Sequence, residues 1–169
     1  MTNKPARAEL DRAVDLAIAR DRGWEPAYES AALDLHSVTR AIARLERIEL
    51  SLEERALHDE WARPRKFVGG APDPGAPSPI LLLLGRLESA RDELRYEAAR
   101  KAHGAPCDCA ALIELGRHDK KPDSPAFHVI KVIDALYASE WRCDACGTRW
   151  SETRDCDDVG VWSNWHATK

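Results

Sequence analysis

The sequence predicts an α+β protein, in which an N-terminal bundle of about four helices is followed by a small antiparallel β module. Two observations indicate this class. Up to Gly104 the apolar residues recur at steps of three and four, the period of an amphipathic helix. After residue 105 the segments become short, β-branched residues cluster in FHVIKVI, and four of the six tryptophans follow residue 140. We therefore predict a helical domain at 1–104 and a β module at 105–169.

The first two helices are predicted from their apolar stripes. One stripe, from Leu10 to Ile18, indicates a helix that ends near Gly23. After GWEP a longer helix is expected to run to about Leu50, with Pro26 in its first turn, where a missing N–H has no cost. The apolar residues of this second stripe are Tyr28, Ala31, Leu35, Val38, Ile42 and Leu45.

Capping residues mark the start of the other two helices. Ser51 and Glu54 have the spacing of a capping box, which predicts a third helix to about residue 62 with Leu57 and Trp61 facing inward. Residues 63–79 contain five prolines and three glycines, which predicts a linker or a long loop within the helical domain. Ser78 and Pro79 suit the cap and first turn of a fourth helix that Gly104 ends.

The β module is predicted to contain four short strands, at roughly 127–135, 140–142, 149–154 and 161–165. The first of these has an alternative. Ser124 and Pro125 could instead open a helix through Tyr137.

Charge and hydropathy exclude several classes of partner. The net charge of −4 is spread along the chain, and eight basic residues face eleven acidic ones after position 104, so no phosphate-binding stripe is expected. The most apolar run, Ile80–Leu84, is too short to cross a bilayer, and acidic residues stand where a signal peptide would have its apolar core. We expect a cytoplasmic protein without a membrane or nucleic-acid partner.

Five cysteines, all after residue 106, carry the strongest motif of the sequence. Cys107 and Cys109 form one close pair and Cys143 and Cys146 another, with 33 residues between the pairs and a glycine after the second. Two close pairs of thiolates are the donor set that tetrahedral zinc prefers. Cys156 or His166 could replace one of the four ligands, and unliganded cysteines or a redox pair are the other interpretations.

The runs CDCAALIELGRHDKKPDSPAFHVIKV and EWRCDACGTRW resemble small bacterial zinc-ribbon domains, which are mostly uncharacterised or similar to immunity proteins. The resemblance covers about residues 105–155. It implies zinc ligands at Cys107, Cys109, Cys143 and Cys146, a leucine-bearing strand after the first pair, and no catalytic residue.

The predicted function follows from the closed coordination of the proposed metal site. Four thiolates leave zinc no position for an activated water, so we expect a structural metal and no enzyme activity. The leading hypothesis is a zinc-stabilised protein that binds another protein. This class includes immunity proteins, which block a partner such as a toxin. Trp162 and Trp165 are candidate contacts, or the inner face of a last strand, and Glu53 and Glu54 form a candidate acidic face.

Two alternatives stay open. A zinc ribbon can serve a nucleic-acid-associated factor in transcription or RNA processing, although such a factor would carry a basic stripe. An enzyme site could also form between the two halves from residues far apart in the sequence.

Overall fold

The computed structural model describes residues 4–62, 78–104, 106–157 and 160–168, with side chains at 8–57, 78–104, 106–155 and 161–168. Of the predicted linker at 63–79, only Ser78 and Pro79 lie within these ranges. The chain forms two compact units, Met1–Arg95 and Tyr96–Lys169. None of the helices in the described ranges combines the length and the apolar composition needed to cross a membrane.

The predicted α+β class is confirmed, but the described residues contain six helices rather than about four. The sheet has four antiparallel strands in the order β1-β2-β3-β4. The helices are α1 Lys4–Ile18, α2 Trp24–Glu29, α3 Leu35–Leu45, α4 Leu52–Ala62, α5 Pro79–His103 and α6 Cys109–Leu115. The strands are β1 Phe127–Asp134, β2 Ala138–Cys143, β3 Arg149–Asp157 and β4 Gly160–Thr168.

The long second helix predicted from 26 to about 50 is wrong, because the chain forms two helices there. The Ser30 hydroxyl donates to the carbonyl of Pro26 (2.8 Å) at the end of α2. Asp34 is extended (φ −127°, ψ 156°), and its carboxylate accepts from the N–H of Ser37 as the cap of α3. The apolar stripe continues across the break because both helices pack on the same core. That core is built from Leu10, Ala13, Val14, Ala17, Trp24, Ala27, Val38, Ala41, Ile42, Leu45, Ile80, Leu83 and Leu87.

One carboxylate, that of Glu54, joins three segments of the first unit. The predicted capping box is confirmed: the N–H of Ser51 donates to Glu54 (2.9 Å), and the N–H of Glu54 donates to the Ser51 hydroxyl (3.1 Å). The guanidinium of Arg20 donates twice to the same carboxylate, at 3.0 and 3.1 Å, and the Ser78 hydroxyl donates once at 3.0 Å. Arg20 lies just after α1 with φ +58°, and Ser78 precedes α5. Glu54 therefore ties the end of α1 to the starts of α4 and α5.

The second unit contains a helix, α6, that the resemblance to zinc ribbons did not imply. The leucine-bearing strand implied by the zinc-ribbon resemblance is instead α6. Its sequence, CAALIEL, is rich in good helix formers. Gly116 ends the helix in the left-handed region (φ 60°), and the N–H groups of Gly116 and Arg117 bind the carbonyls of Ile113 and Leu112.

The four predicted strands are confirmed, and residues 127–134 form β1 rather than part of a helix. Trp141 on β2 lies opposite Trp150 on β3. Trp150 and Trp165 are buried in one core with Cys143 and the α6 residues Ala111 and Leu112. The other face of the sheet carries polar and charged side chains such as Arg142, Arg149 and Asp155, all exposed. This alternation is that of an antiparallel sheet covered on one face.

We predict that Glu54 makes the first unit more stable above pH 4.5 than at about pH 2. Its hydrogen bonds with Arg20 and Ser51 lower the pKa of the carboxyl from 4.5 to about 2. A carboxyl whose pKa is lower in the folded state stabilises the fold above its unfolded pKa, and this contribution is lost as the pH falls through the folded pKa. Urea unfolding followed by the helical circular dichroism signal, at several pH values between 5 and 2, measures the effect.

Two substitutions separate charge from capping. Glu54→Gln keeps a side chain that can complete the capping box, and should reduce the pH dependence without removing the cap. Glu54→Ala removes both the charge and the capping side chain, and should lower the free energy of unfolding by about 1 kcal/mol more than Glu54→Gln does. The exposed neighbour substitution Glu53→Gln is the matched control. If the wild type and Glu54→Gln lost stability identically on acidification, the ascribed role of this carboxylate would be wrong.

Candidate metal centre

Four cysteines from two segments of the second unit converge. Their sulfur atoms all lie within 4.8 Å of one another. Cys107 precedes α6 and Cys109 is its first residue, while Cys143 ends β2 and Cys146 lies in the turn to β3. Tetrahedral zinc with bonds of 2.3 Å holds its four sulfurs about 3.8 Å apart. A small contraction of the cluster would therefore give a metal-binding geometry, and the four cysteines could bind a metal ion.

The second cysteine pair is held in a tight turn between β2 and β3. The N–H of Gly147 donates to the carbonyl of Cys143 (2.7 Å), and the N–H of Cys143 donates to the carbonyl of Thr148 (2.9 Å). Gly147 has φ +79°, a conformation that a residue with a Cβ atom rarely adopts. The glycine after the second pair is thus required by the turn that presents Cys143 and Cys146.

The first pair is held by a buried aspartate that the sequence analysis missed. Asp108 stands between the two cysteines and is 2 % exposed. Its carboxylate accepts a hydrogen bond from the hydroxyl of Tyr96 on α5 and another from the N–H of Asp123 (2.7 Å). Burial raises the pKa of Tyr96, and the bond to Asp108 raises it further, so the phenol stays a donor. Asp108 therefore connects the turn that carries Cys107 and Cys109 to two other segments.

The thiols differ in their surroundings. Burial raises the pKa of Cys107 to about 11 and raises that of Cys109 further. Burial also opposes ionisation of Cys146, but hydrogen bonds involving Thr148, Cys107 and Cys109 together outweigh it and lower the pKa of this exposed thiol to about 7. Thr148 Oγ1 lies 3.2 Å from the sulfur of Cys146. Four adjacent sulfurs, three of them buried, disfavour a cluster of thiolates unless a cation compensates their charge.

Aromatic residues pack in the core that contains Cys107, Cys109 and Cys143; Trp150 and Trp165 are buried there, and Phe127 and Trp141 are partly buried. Phe127 stacks on Trp141 with ring centroids 5.3 Å apart, and Trp165 meets the edge of Trp141 at 5.5 Å. Lys121 Nζ lies 4.5 Å from the centroid of the Trp141 ring. The rings thus supply apolar surface to the core in which three of the four cysteines are buried.

The two tryptophans proposed as contacts lie in different environments. Trp165 is 4 % exposed and belongs to the core, which fits the alternative of an inner strand face, whereas Trp162 is 46 % exposed. The proposed acidic face is also divided. Glu53 is exposed, but the carboxylate of Glu54 is engaged with Arg20, Ser51 and Ser78.

A second buried carboxylate, Glu152, was also missed. It lies on the core face of β3 and accepts hydrogen bonds from Trp141 Nε1 (3.1 Å) and the Ser163 hydroxyl (2.8 Å). Arg154 donates to both of its oxygens, at 2.9 and 3.0 Å. Burial alone would raise the pKa of Glu152, but these hydrogen bonds outweigh it and hold the pKa low. The carboxylate has its donors within the sheet, and these hydrogen bonds account for its burial.

Of the two alternative ligands, His166 and Cys156, the structure describes only the side chain of His166. His166 is not a member of the cysteine cluster, and its ring lies 4.4 Å from that of His118. His118 Nδ1 is in turn 2.8 Å from the carbonyl oxygen of Trp165. The side chain of Cys156 lies outside the described residues.

Comparison of the chain with protein-family models, with curated proteins and with solved structures finds no match. The resemblance to zinc ribbons therefore depends on the cysteine motifs alone.

We predict that Asp108→Asn weakens metal binding, because it disturbs the segment that holds Cys107 and Cys109. Removing a group that supports metal ligands commonly costs 10- to 100-fold in affinity, so a loss of about tenfold or more is expected. Competition with a chromophoric zinc chelator measures it. Asp144→Asn is the matched control, because Asp144 also stands between two cysteines but is exposed and pairs with Arg142 (3.2 Å). Equal effects of the two substitutions would contradict a special role for Asp108.

Proposed function

We propose that Cys107, Cys109, Cys143 and Cys146 bind one zinc ion, and that the chain is a zinc-stabilised protein-binding module rather than an enzyme. Sulfur donors favour zinc over magnesium or calcium, which prefer oxygen. Four cysteine ligands satisfy the tetrahedral preference of zinc and leave no position for water or substrate. The bound ion would join the start of α6 to the turn between β2 and β3 and hold the second unit together.

A concentration of exposed apolar residues on the sheet carries the binding proposal. Among the described residues, eleven large hydrophobic side chains are exposed, and eight of them lie in the β1–β2 hairpin or at the start of β4. Contiguous apolar patches mark contact sites in proteins, whereas scattered single residues do not. The hairpin residues form one group, and Val161 and Trp162 form a second group on β4, at the other edge of the sheet. The eight are Val129, Ile130, Val132, Ile133, Leu136, Tyr137, Val161 and Trp162. We call the first six the apolar edge.

Contact by itself would be the activity of such a protein. The proposal includes the immunity type, in which binding blocks a partner such as a toxin. Trp162 is the residue of β4 best suited to anchor a partner, since a large aromatic side chain that becomes buried contributes much of the binding free energy at interfaces. Trp165 cannot serve in this way while it remains in the core.

We predict one zinc ion per chain, lost in Cys143→Ser. Binding energy at a structural zinc site is folding energy, on the order of 10 kcal/mol in isolated zinc peptides, so chelation should also abolish the tertiary tryptophan signal of the second unit. The helical signal of the first unit, which has its own core, should largely persist. Elemental analysis and near-ultraviolet circular dichroism measure these effects. Cys156→Ser is the matched control and should keep the metal; loss of metal there with retention in Cys143→Ser would overturn the ligand assignment.

We predict that Trp162→Ala weakens binding to a protein partner roughly thirtyfold, which corresponds to about 2 kcal/mol, without loss of zinc. The partner is first identified by crosslinking, and its affinity is then measured by titration with purified proteins. Asn164→Ala, a truncation two residues along the same strand, is the control and should bind as the wild type does.

An unchanged affinity for the partner in Trp162→Ala would contradict the role of Trp162 as an anchor. Failure to find any protein partner, or a shift of DNA or RNA by the purified protein at about 150 mM salt, would contradict the binding proposal, and the shift would favour the nucleic-acid alternative.

A further inference from the structure

The two edges of the sheet in the second unit differ. The outer side of β4 is engaged by residue 118: the N–H of Trp165 donates to the carbonyl of His118 at 2.7 Å, and His118 Nδ1 lies 2.8 Å from the carbonyl of Trp165. Within the described part of the chain, β1 has a strand neighbour on one side only, β2. Seven of the eight residues of β1 are exposed. An open strand edge is a template for pairing with another strand.

The open edge is also apolar. Val132 and Ile133 are both 58 % exposed, and Val129 and Ile130 are similarly uncovered. Soluble proteins usually protect such strands with charges or with a covering element. The strand carries only two formal charges, Lys131 and Asp134, and they are of opposite sign.

We propose that β1 pairs with β1 of a second copy of this chain, antiparallel, about a two-fold axis at Val132. The two sheets then become one continuous eight-stranded sheet. In this register Lys131 of each copy lies opposite Asp134 of the other, and Val132 meets its own equivalent. The proposal rests on the proposed function because it uses the apolar edge as a contact surface; it assigns this edge to a second copy, whereas Trp162 on β4 is left for a different protein.

A bulge in β1 makes this register possible. On a regular strand, residues three apart point to opposite faces and could not face each other across a two-fold axis. The register with β2 shifts between Val132 and Asp134, so that Lys131 lies opposite Glu140 and Asp134 opposite Ala138. Glu140 and Ala138 are two residues apart and share a face of β2. Lys131 and Asp134 are therefore also on one face, which is the condition for symmetric pairing.

The charges favour a second copy over an unrelated strand. Lys131 would lie between Glu140 of its own sheet and Asp134 of the second copy, so that charges of opposite sign alternate across three strands. The two-fold axis produces this arrangement twice. Opposite charges directly across a strand pair are favourable, and like charges are unfavourable. A strand with one positive and one negative side chain at these two positions is complementary to itself.

Charge exchange between copies tests the proposal with the purified, zinc-loaded full chain. Analytical ultracentrifugation over a series of concentrations should show a dimer of the wild type. Lys131→Glu and Asp134→Lys each place like charges opposite one another twice, and should raise the dissociation constant about tenfold or more. An equimolar mixture of the two variants restores opposite charges at both positions and should form a heterodimer. Arg149→Glu, a charge reversal on the same face but away from the edge, should leave the dimer intact.

Further variants distinguish a weakened interface from a loss of folding. Asp134 also accepts from the N–H of Leu136 (2.8 Å), so Asp134→Asn, which can keep this bond, is compared with Asp134→Lys. Ile133→Lys tests the apolar contact without touching either charge, and it too should weaken the dimer. Zinc content confirms that each variant retains its second unit.

Two results would overturn the inference. One is a wild-type chain that stays monomeric at every concentration. The other is a dimer that neither charge variant nor Ile133→Lys weakens. Neither result touches the proposed function, which is judged by zinc content and by the effect of Trp162→Ala on a different protein.

Discussion

Convergence of four cysteine sulfurs is the constraint on which the second unit depends. The unit spans residues 96–169, and its core is small. A unit of this size, with one open strand edge, buries little apolar surface per residue, and small domains commonly need a metal or disulfides in addition to their core. The sulfurs come from two segments with 33 residues between them, so a metal bond among them closes a long loop as well as neutralising charge. The thiol pKa values of Cys107 and Cys109 point the same way, since burial raises both and disfavours ionisation without a cation beside them.

Features with a local signal could be predicted from the sequence. The cysteine pairs, the capping box at Ser51 and the start of α5 each depend on residues a few positions apart. The break between α2 and α3 could not be read from periodicity, because the apolar stripe keeps its phase across Asp34 and both helices use the same core. Asp34 was the available signal for the break, because aspartate caps the start of a helix better than it continues one. Similarly, the alanines and leucines of CAALIEL favoured a helix over the strand that the resemblance implied.

Long-range partners explain what the sequence did not show. Asp108 and Glu152 look like surface acids in the sequence, and both are buried with donors from distant positions: Tyr96 and Asp123 for one, Trp141 and Ser163 for the other. Burial of a carboxylate is tolerable only with such donors. Glu53 and Glu54 show the same effect at adjacent positions, since only Glu54 meets Arg20 and Ser78. Which of two neighbouring acids is available to a partner is decided by segments distant in the chain.

The cysteine cluster and the apolar edge are connected through the pairing of β1 with β2. Phe127, at the start of β1, lies opposite Cys143 and stacks on Trp141 in the core beside the cysteines. Lys131 and Val132 lie farther along the same strand, opposite Glu140 and Ser139 of β2. An ion bound by the four cysteines would anchor the end of β2 at Cys143, and β2 in turn pairs with β1 along its length. Because β1 has its only strand neighbour in β2 among the described residues, loss of the cysteine closure would release the surface that we propose for contact. In this protein the metal would act on binding through the order of β1, without any contact between the metal and the partner.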